Sequence, residues 1–309
     1  MTSPTVDVVL ATYQGERFLA EQLASIAAQT WVPTRLLVAD DGSTDRTYSV
    51  VEDFARLAPF PVVWVARDRV GGAAANFSRL LAATSAEVVL LCDQDDRWPP
   101  HRIADVMVAF TAHASSQTPC LLVHDLALID ATGAVIGTSF WRHQAFDPVH
   151  GSRFGTLLVM NSFPGCAMAC NRALVQKALP IPVEAVMHDW WLALVAAGCG
   201  SLVVLDQALV AYRLHSSNAI GAPIQNWWSR IRRGRLGSGG GRRQALSQAI
   251  AQARALRRRG VVIRVSEAAL LRRFCACARL SSAARRWLLL TTPIRKTGWL
   301  RHLGLLASA

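Results

Sequence analysis

The chain has 309 residues, of which 52% are hydrophobic and 17% charged, so a disordered chain is excluded and a full hydrophobic core can be built. Its net charge of +12 is unevenly distributed. Residues 222–309 carry 19 of the 33 lysines and arginines and one acidic residue, Glu267, whereas residues 1–221 carry 14 basic and 20 acidic residues. A basic tail of this kind suits nucleic acid or an anionic membrane surface.

Seven cysteines, an odd number, argue against a disulfide framework, and no Cys-x-x-Cys pair indicates a zinc site. We therefore expect reduced, mostly buried thiols and a cytoplasmic protein. No basic stretch followed by an apolar run opens the sequence, so no signal peptide is expected. No uncharged apolar run approaches the length that spans a bilayer.

The first part of the chain alternates apolar, strand-like segments with segments of helical periodicity. Strands are predicted at 6–11, 36–39, 62–65 and 88–91, and helices at 16–29 and 73–83. This alternation predicts an α/β fold with a mostly parallel, Rossmann-like sheet flanked by helices. Ligands bind at the carboxyl ends of the strands in such sheets.

Two acidic clusters follow the second and fourth of these strands and should face one crevice. The run Asp93-Gln94-Asp95-Asp96 places three carboxylates in four residues, whose mutual repulsion calls for a counter-charge if they are buried. A divalent cation, Mg²⁺ or Mn²⁺, is the natural partner, together with a diphosphate. The alternative is a solvated acidic turn that caps the next helix.

The other acidic cluster contains Asp40 and Asp41. A carboxylate that follows a parallel strand can accept hydrogen bonds from a base or a ribose. The alternative is a plain turn and helix cap.

After residue 115 the pattern changes. A hairpin is predicted from 121–125 and 134–136, a short strand at 166–170, a helix at 188–197 and a strand at 202–205. A linker rich in Gly, Ser and Arg, centred on 237–241, then precedes an Arg-rich helical tail.

Two further polar groups carry candidate chemistry. Asp189, at a helix start beside His188, Trp190 and Trp191, could act as a base in a partly desolvated pocket. The alternative is an N-terminal cap, with both indoles in the core. Farther along, Arg213 and His215 share one side of an extended segment and suit a diphosphate or its metal; the alternative is a polar surface loop.

Together these segments resemble the inverting family 2 glycosyltransferases with a GT-A fold, over roughly residues 5–221. The run 9–15 is similar to that family's opening strand and loop, 40–45 to its nucleobase-binding motif, and 93–95 to its metal-binding DxD. The run 165–168 is similar to a small-residue motif of the acceptor half. His188-Asp189 stands where the family has a Glu-Asp or similar pair, and the Gln-x-x-Arg-Trp of processive members is absent.

The resemblance implies a role for each matching residue. Asp189 would be the catalytic base of an inverting transfer, and a divalent metal would be the cofactor. The expected nucleotide-sugar ligands are Thr12, Tyr13, Asp40, Asp41, Asp93 and Arg213. The expected metal ligands are Asp95, Asp93 and His215, with Asp96 as a substitute. The expected acceptor-binding residues are His188, Trp190, Trp191 and Gly165.

The runs 93–98, 188–191 and 212–221 resemble more narrowly the bacterial rhamnosyltransferase-like subgroup that builds surface polysaccharides. The implied donor is dTDP-rhamnose, with a UDP-hexose as the alternative, and the implied acceptor is a glycan or a lipid-linked sugar. Residues 1–221 would form the transferase domain, with a nucleotide-sugar half at about 1–115 and an acceptor half at about 116–221.

The Arg-rich extension, 222–309, mixes indoles, leucines and arginines at 227–233 and 285–290. Such runs suit an amphipathic helix in a membrane interface, here on the inner face of the plasma membrane. The alternative is that these helices only flank the catalytic domain, with their long side chains packed and their charges in water.

Three other functions fit the sequence less well than sugar transfer. A basic nucleic-acid-binding protein is disfavoured because the positive charge avoids the α/β part and no nucleic-acid motif occurs, so no nucleic acid is expected as partner. A nucleotidyltransferase would bring a Gly-rich triphosphate loop that 11–15 does not supply. A catalytically inactive scaffold would not keep an acid in every motif.

Overall fold

The computed structural model describes residues 4–113, 117–215, 239–261 and 263–309. Its centre is an eight-stranded sheet of order β3-β2-β1-β4-β7-β5-β6, with β8 paired to β5. The strands are β1 (Val6–Thr12), β2 (Arg35–Asp40), β3 (Val62–Ala66), β4 (Val88–Cys92), β5 (Cys120–Ile129), β6 (Val135–Gly137), β7 (Met168–Asn171) and β8 (Ser201–Arg213).

The predicted parallel strands are confirmed. β1 lies between β2 and β4, and Val9 of β1 pairs with Leu37 on one side and Leu91 on the other. β4 is buried along its whole length, and β1 and β2 are buried except at one residue each, which explains why they are apolar runs with no polar alternation. Their carboxyl ends, at Thr12, Asp40 and Cys92, meet at one edge of the sheet.

Helices cover both faces of the sheet. They are α1 (Leu19–Ala27), α2 (Thr47–Ala55), α3 (Ala73–Ala83), α4 (Arg102–His113), α5 (Phe140–His143), α6 (Pro148–Gly151), α7 (Phe154–Leu157), α8 (Arg172–Ala178) and α9 (His188–Cys199). α1 buries Leu19, Leu23 and Ile26, which recur at the spacing of one helix face. α9 differs, because nine of its twelve residues are buried and it is apolar on almost every side.

The later part of the chain adds antiparallel strands to the sheet. The predicted hairpin is confirmed as β5–β6, and β7 follows a 3₁₀ turn at Gly165–Ala167 and inserts antiparallel between β4 and β5. β8 runs parallel to β5 for thirteen residues, well beyond the predicted 202–205. Its length carries Arg213 to the site edge of the sheet, so the surface-loop alternative is wrong for 212–213; 216–218 lie outside the described residues.

The tail folds into α10 (Gly239–Arg258), α11 (Val265–Ala276), α12 (Ser282–Thr291) and α13 (Trp299–Ser308). Leu246 and Ile250 of α10 and Phe274 of α11 belong to the same hydrophobic cluster as Trp191 and Leu194 of α9. The tail is therefore packed onto the α/β part of the chain, residues 4–215. The predicted linker is contradicted at 239–241, which form the first turn of α10, while 237–238 and the run 227–233 lie outside the described residues.

All seven cysteines are free thiols and six are buried, as expected for a reduced protein. Among the helices in the described ranges, none has the length and apolar character required to cross a bilayer.

Candidate active site

The site edge begins with the strand ends of β1 and β2. Asp40 is buried, and its carboxylate accepts hydrogen bonds from Thr12 Oγ1 at 2.7 Å, from Ser43 N at 2.6 Å and from Ser43 Oγ at 2.6 Å. A carboxylate has about four lone-pair positions, so about one remains for a ligand. Asp40 thus shapes this side of the crevice and offers at most a single contact to a nucleoside.

Asp41 holds the loop that precedes α3. Its carboxylate accepts hydrogen bonds from the backbone N–H groups of Val70, Gly71 and Gly72 at 2.5, 2.9 and 2.7 Å. Burial alone would raise the pKa of Asp41, but these three donors hold it below its ordinary value. Gly71 and Gly72 have φ of +86° and +130°, which side chains other than glycine rarely adopt, so the loop is built to wrap this acid.

Tyr13 is tied to the acidic turn by its main chain. Its N–H donates to Gln94 Oε1 at 2.9 Å, and Gln94 Nε2 donates back to the Tyr13 carbonyl at 2.9 Å, while the phenol ring is exposed. A Cβ on Gly15 would lie 2.4 Å from Gln94 Oε1, so this position needs glycine. No role was predicted for Gln94 from the sequence. In the structure, Gln94 joins the first loop to the acidic turn.

The three acids of the turn have different environments. Asp96 is fully buried, and its Oδ1 accepts the backbone N–H of Arg213 at 3.1 Å. Burial, with the charges of Asp95 and Asp93, raises the pKa of Asp96 well above its ordinary value, which favours its protonated form. Burial, with the charges of Asp95 and Asp189, raises the pKa of Asp93 to about 7.

A buried arginine behind the turn offsets part of this negative charge. Arg102 is fully buried over the ring of Trp98, 3.7 Å from its centroid, and donates to the Cys166 carbonyl at 2.5 Å. Burial lowers the pKa of Arg102 to about 10, so the group stays positively charged at neutral pH. Sequence reasoning missed Arg102, because an arginine on a helix is usually exposed.

Asp95 and His215 come together from distant parts of the chain. His215 Nε2 lies 2.9 Å from Asp95 Oδ2, and both side chains are mostly buried. The isolated bridge between Arg97 and Ala211 fastens β8 to the acidic turn immediately beside this pair. Carboxylate oxygen and imidazole nitrogen are ligands that a divalent cation accepts in a shared site.

A second cluster of metal-ligating groups lies deeper. Asp93, Asp96 and Cys166 each offer an atom within 4.8 Å of the others. Burial raises the pKa of Cys166 well above its ordinary value, so its thiol is protonated at neutral pH. A thiol is a poor ligand for a hard cation, so the two carboxylates Asp95 and Asp93 with the imidazole of His215 fit Mg²⁺ or Mn²⁺ better than this cluster does.

Arg213 does not occupy its expected position over a diphosphate. Its side chain is fully buried, its Nη2 donates to Glu21 Oε2 at 2.5 Å and its Nε donates to the Asp95 carbonyl at 2.9 Å. Further bonds go to the carbonyls of Asp130 and Ala131 at 3.3 and 3.4 Å. Arg213 is therefore a positioning residue that ties α1, the acidic turn and the hairpin turn together. The sequence could not reveal this, because Glu21 carries no motif.

Asp189 stands at the first turn of α9. Its Oδ1 accepts the Trp190 N–H at 2.5 Å, and the Asn161 side chain and Gly165 N–H also donate to it. Burial outweighs these donors and raises the pKa of Asp189 to about 6. The charge of Asp189 acts on Asp93, so the two acids lie close to each other. Asn161 went unnoticed in the sequence because it lies in a loop without a motif.

His188 is buried against the same crevice wall. Its ring stacks on Phe77 with centroids 4.0 Å apart, and a Cβ on Gly165 would lie 2.6 Å from its Nε2. Burial lowers the pKa of His188 to about 3, so the imidazole is neutral. Within the described ranges neither ring nitrogen has a hydrogen-bond partner. A buried, neutral ring with unused donor and acceptor positions is suited to a ligand hydroxyl.

The two indoles beside Asp189 differ. Trp191 is fully buried in the core, and its Nε1 donates to the Ala178 carbonyl at 2.8 Å. The expectation that Trp191 binds the acceptor is therefore wrong, and the core alternative holds for it. Trp190 is half-buried, with its Nε1 bonded to the Leu157 carbonyl at 2.6 Å, so one part of its ring remains available to the crevice.

The comparisons with known proteins agree with this geometry. Residues 7–120, which hold β1 to β4 and both acidic clusters, match the model of "Glycosyl transferase family 2". This part of the chain is similar to a family 2 glycosyl transferase domain.

Among curated relatives, an uncharacterized glycosyltransferase of Nostoc sp. is 26% identical over 222 residues, which cover 69% of this chain and 66% of the relative. The dTDP-rhamnosyl transferase RfbG of Shigella flexneri is 25% identical over 227 residues, covering 70% of this chain and 74% of RfbG. The chain thus spans slightly less than two thirds of the Nostoc relative, and 59% of an uncharacterized Mycobacterium tuberculosis protein that it also matches.

Solved structures show the same fold. TarS of S. aureus, in complex with UDP, superposes with a TM-score of 0.56 at 15% identity, covering 92% of this chain and 78% of that one. The mannosyltransferase PcManGT from Pyrobaculum calidifontis, in complex with GDP-Man and Mn²⁺, gives 0.54 at 18% identity, covering 99% and 86%. The GT-A fold expected from the sequence is confirmed, together with its helical C-terminal tail.

Proposed function

We propose that this protein transfers a sugar from a nucleoside diphosphate to an acceptor hydroxyl, with inversion at the anomeric carbon. One observation carries the proposal. The carboxyl of Asp189, with its pKa raised to about 6, lies close enough to Asp93 for their charges to interact. Asp93 is two positions from Asp95, which pairs with His215. A base with a pKa near neutrality is suited to take a proton from a hydroxyl group.

In the proposed reaction, the Asp189 carboxylate takes the proton of the acceptor hydroxyl. The acceptor oxygen forms a bond to the anomeric carbon while the bond from that carbon to the diphosphate oxygen breaks, and the electron pair leaves with the nucleoside diphosphate. Because attack and departure occur on opposite faces, one displacement inverts the configuration. A single protein carboxylate is enough, in contrast to hydrolysis by two facing carboxylates.

Asp95, Asp93 and His215 are the residues that would hold a divalent metal, Mg²⁺ or Mn²⁺. When bound, such a metal neutralises the charge that develops on the departing diphosphate. The residues fit the group because a carboxylate oxygen and an imidazole nitrogen already stand 2.9 Å apart. Asp93 has a pKa of about 7, and nearby positive charge would favour its ionised form.

On the nucleotide side, the exposed ring of Tyr13 and the last free position of Asp40 are the groups that can face a base and ribose. Thr12 acts through Asp40, to which it donates, and Asp41 acts through the loop 70–72. We assign the nucleotide-sugar half to about 1–115 and the acceptor half to about 116–221.

On the acceptor side, we assign a contact with a sugar hydroxyl to His188, and to Trp190 a contact with an apolar sugar face. The neutral, unpartnered ring of His188 supports the first assignment, and the partial exposure of Trp190 supports the second. Gly165 allows the His188 ring to pack directly against it, because a Cβ there would lie 2.6 Å from His188 Nε2.

For the donor we propose L-rhamnose from dTDP-rhamnose, because a named relative of similar length, RfbG, is a dTDP-rhamnosyl transferase. A UDP-hexose is the second candidate. TarS binds UDP-GlcNAc and PcManGT binds GDP-Man, and these distant likenesses support a nucleotide-sugar donor without choosing its sugar.

For the acceptor we propose a glycan or a lipid-linked sugar in the synthesis of a cell-surface polysaccharide, at the cytoplasmic face of the membrane. The seven free cysteines support a reducing compartment. The acceptor and the nucleotide sugar would then meet in the cytoplasm.

The test is a donor panel with the purified full chain and Mn²⁺, scored by release of the nucleoside diphosphate. dTDP-rhamnose, UDP-glucose, UDP-GlcNAc and GDP-mannose are compared with and without a mixture of acceptor sugars. Acceptor-dependent release from dTDP-rhamnose alone is the expected result. Release from a UDP-hexose instead would replace the donor, and release from none of the four would contradict the proposal.

A further inference from the structure

The last two helices expose large apolar side chains to solvent. In α12, Trp287 and Leu290 are 69% and 55% exposed, and in α13, Trp299, Leu300 and Leu303 are 72%, 53% and 52% exposed. These five residues are called the apolar face below. Trp287 and Leu290 are three positions apart and so share one side of α12, and the three residues of α13 form one stripe. Soluble proteins rarely leave so many large apolar groups in water without a partner.

The apolar face belongs to a fixed part of the fold. Arg286 Nε of α12 donates to the Leu306 carbonyl of α13 at 3.2 Å, which joins the two helices. Leu289 and Leu305, on their inner sides, are buried in the cluster that also contains α9. The exposed residues are therefore the outer faces of docked amphipathic helices.

A basic cleft adjoins the apolar face at Leu290. It has a volume of about 800 Å³ and lies between the tail and the transferase part. Arg153, Arg264 and Arg295 line it with several hydroxyl groups, against one acid, Glu267, whose carboxylate is 3.8 Å from Arg264.

The basic cleft is separate from the catalytic crevice. It borders Ala197 and Gly200, at the end of α9, whereas Asp189 stands in the first turn of that helix. Ala197 and Gly200 lie 8 and 11 positions after Asp189, a rise of about 12 to 17 Å along the helix. An anion bound in the cleft would therefore lie well away from the reacting sugar.

We propose that α12 and α13 dock the protein on an anionic phospholipid bilayer, with the apolar face in the interface and lipid phosphates in the basic cleft. Charge complementarity selects this occupant, because residues 222–309 carry 19 basic residues and one acidic residue. Basic side chains near an anionic membrane surface are attracted to it. The inference goes beyond sugar transfer and does not depend on which donor is used.

Other occupants fit less well. A second copy would bring two strongly positive surfaces together, and like charges repel. A nucleic acid would match the arginines and the indoles but not Leu290, Leu300 and Leu303, which find no partner among phosphates. Each helix has ten residues and is about 15 Å long, half the thickness of a bilayer core, so the helices lie in the interface.

The experiment is flotation of the full chain with vesicles of phosphatidylcholine alone or mixed equally with phosphatidylglycerol. The triple variant Trp287→Ser, Trp299→Ser, Leu303→Ser removes most of the apolar face. The matched control, Leu57→Ser, Val108→Ser, Val183→Ser, removes three similarly exposed apolar side chains from the transferase part. A third variant, Arg153→Gln with Arg295→Gln, discharges the basic cleft.

Wild type should bind mixed vesicles at least about tenfold more tightly than neutral ones. The face variant should lose about tenfold or more of that binding and the control should lose none. The cleft variant should lose about tenfold on mixed vesicles alone. Thermal melts verify that each variant is folded, and transfer to a water-soluble acceptor should be unchanged in all of them.

The proposal is overturned if the face variant floats like wild type, if the control loses as much, or if wild type does not bind mixed vesicles. Dimerisation that the face variant abolishes, without vesicle binding, would assign the surface to a second copy. A salt-sensitive shift of RNA without vesicle binding would assign it to nucleic acid. Loss of transfer in wild type with normal flotation would contradict only the proposed function.

Discussion

His215 Nε2 lies 2.9 Å from Asp95 Oδ2, although 120 positions separate the two residues in the chain. The pairing of β8 with β5 and the bridge between Arg97 and Ala211 bring them together. The proposed diphosphate side of the site is thus completed by β8, which lies more than 100 residues after the acidic turn in the sequence. The pair is also the clearest place to test the proposed cation.

His215→Ala should raise the Mn²⁺ concentration for half-maximal transfer by about tenfold or more, because it removes one of the proposed ligands. The measurement is a Mn²⁺ titration of nucleoside diphosphate release after treatment with EDTA. His101→Ala, which alters a histidine on the surface, is the control and should titrate like wild type. Transfer that survives EDTA unchanged would rule out the cation.

Asp189→Asn should lower kcat by about 10² to 10⁴ while donor binding stays within about twofold. The amide keeps the shape of the side chain and can still accept the N–H of Trp190, but it cannot take a proton. Donor binding is measured by calorimetry with the nucleoside diphosphate, and kcat by product release. Asp206→Asn, at an exposed acid, is the control. Turnover near the wild-type value in Asp189→Asn would mean that another group is the base.

The rate should fall at acid pH with a midpoint near 6. Burial raises the pKa of Asp189 to about 6, so the group holds its proton below that pH and is ionised, and active as a base, above it. kcat/KM at pH 5 should be about tenfold below its plateau. The profile is measured at saturating Mn²⁺, and circular dichroism at pH 5 checks that the protein stays folded. A flat profile down to pH 5 would place the base elsewhere.

Arg213→Met should lower the free energy of unfolding by about 2–4 kcal/mol, because it strips donors from several carbonyl groups and from Glu21. Urea denaturation measures the loss. Arg97→Met is a matched control, since Arg97 also pairs with Glu21, at 3.5 Å, but is half exposed; it should cost less than about 1 kcal/mol. Equal losses in the two variants would contradict the positioning role of Arg213.

Gly165→Ala should reduce kcat/KM by about tenfold or more, because the new Cβ would lie 2.6 Å from His188 Nε2 and would displace the ring beside the base. Gly304→Ala is the control: its Cβ would meet an atom no nearer than 3.9 Å. Both variants are compared by steady-state kinetics and by thermal melting. A Gly165→Ala enzyme with unchanged kinetics would show that the ring of His188 has no part in the reaction.

The sequence sufficed for the parallel strands, since β1, β2 and β4 are apolar runs that end in polar clusters. It also indicated that the acids meet at one edge, because parallel strands share their carboxyl ends. It could not indicate the insertion of β7 between β4 and β5, because strand order depends on contacts remote in the chain.

Side-chain direction was the other gap. Arg213 and His215 are two positions apart and were expected to share one side, yet Arg213 pairs with Glu21 and His215 pairs with Asp95. Trp190 and Trp191 are neighbours with the same chemistry, and the helix points only one of them into the core. Residue type alone does not predict the direction of these side chains, because the direction depends on which residues lie opposite them in the fold.

α9 joins the proposed base to the tail. Asp189 occupies its first turn, and at its other end the carbonyl of Gly198 accepts the N–H of Arg264, from the segment before α11. Truncation at residue 221 would expose an apolar side of α9 to water. The helix would then no longer hold Asp189 in a fixed position. Shortened versions of this protein for crystals or assays should keep the C-terminal helices, because these helices pack against the helix that carries Asp189.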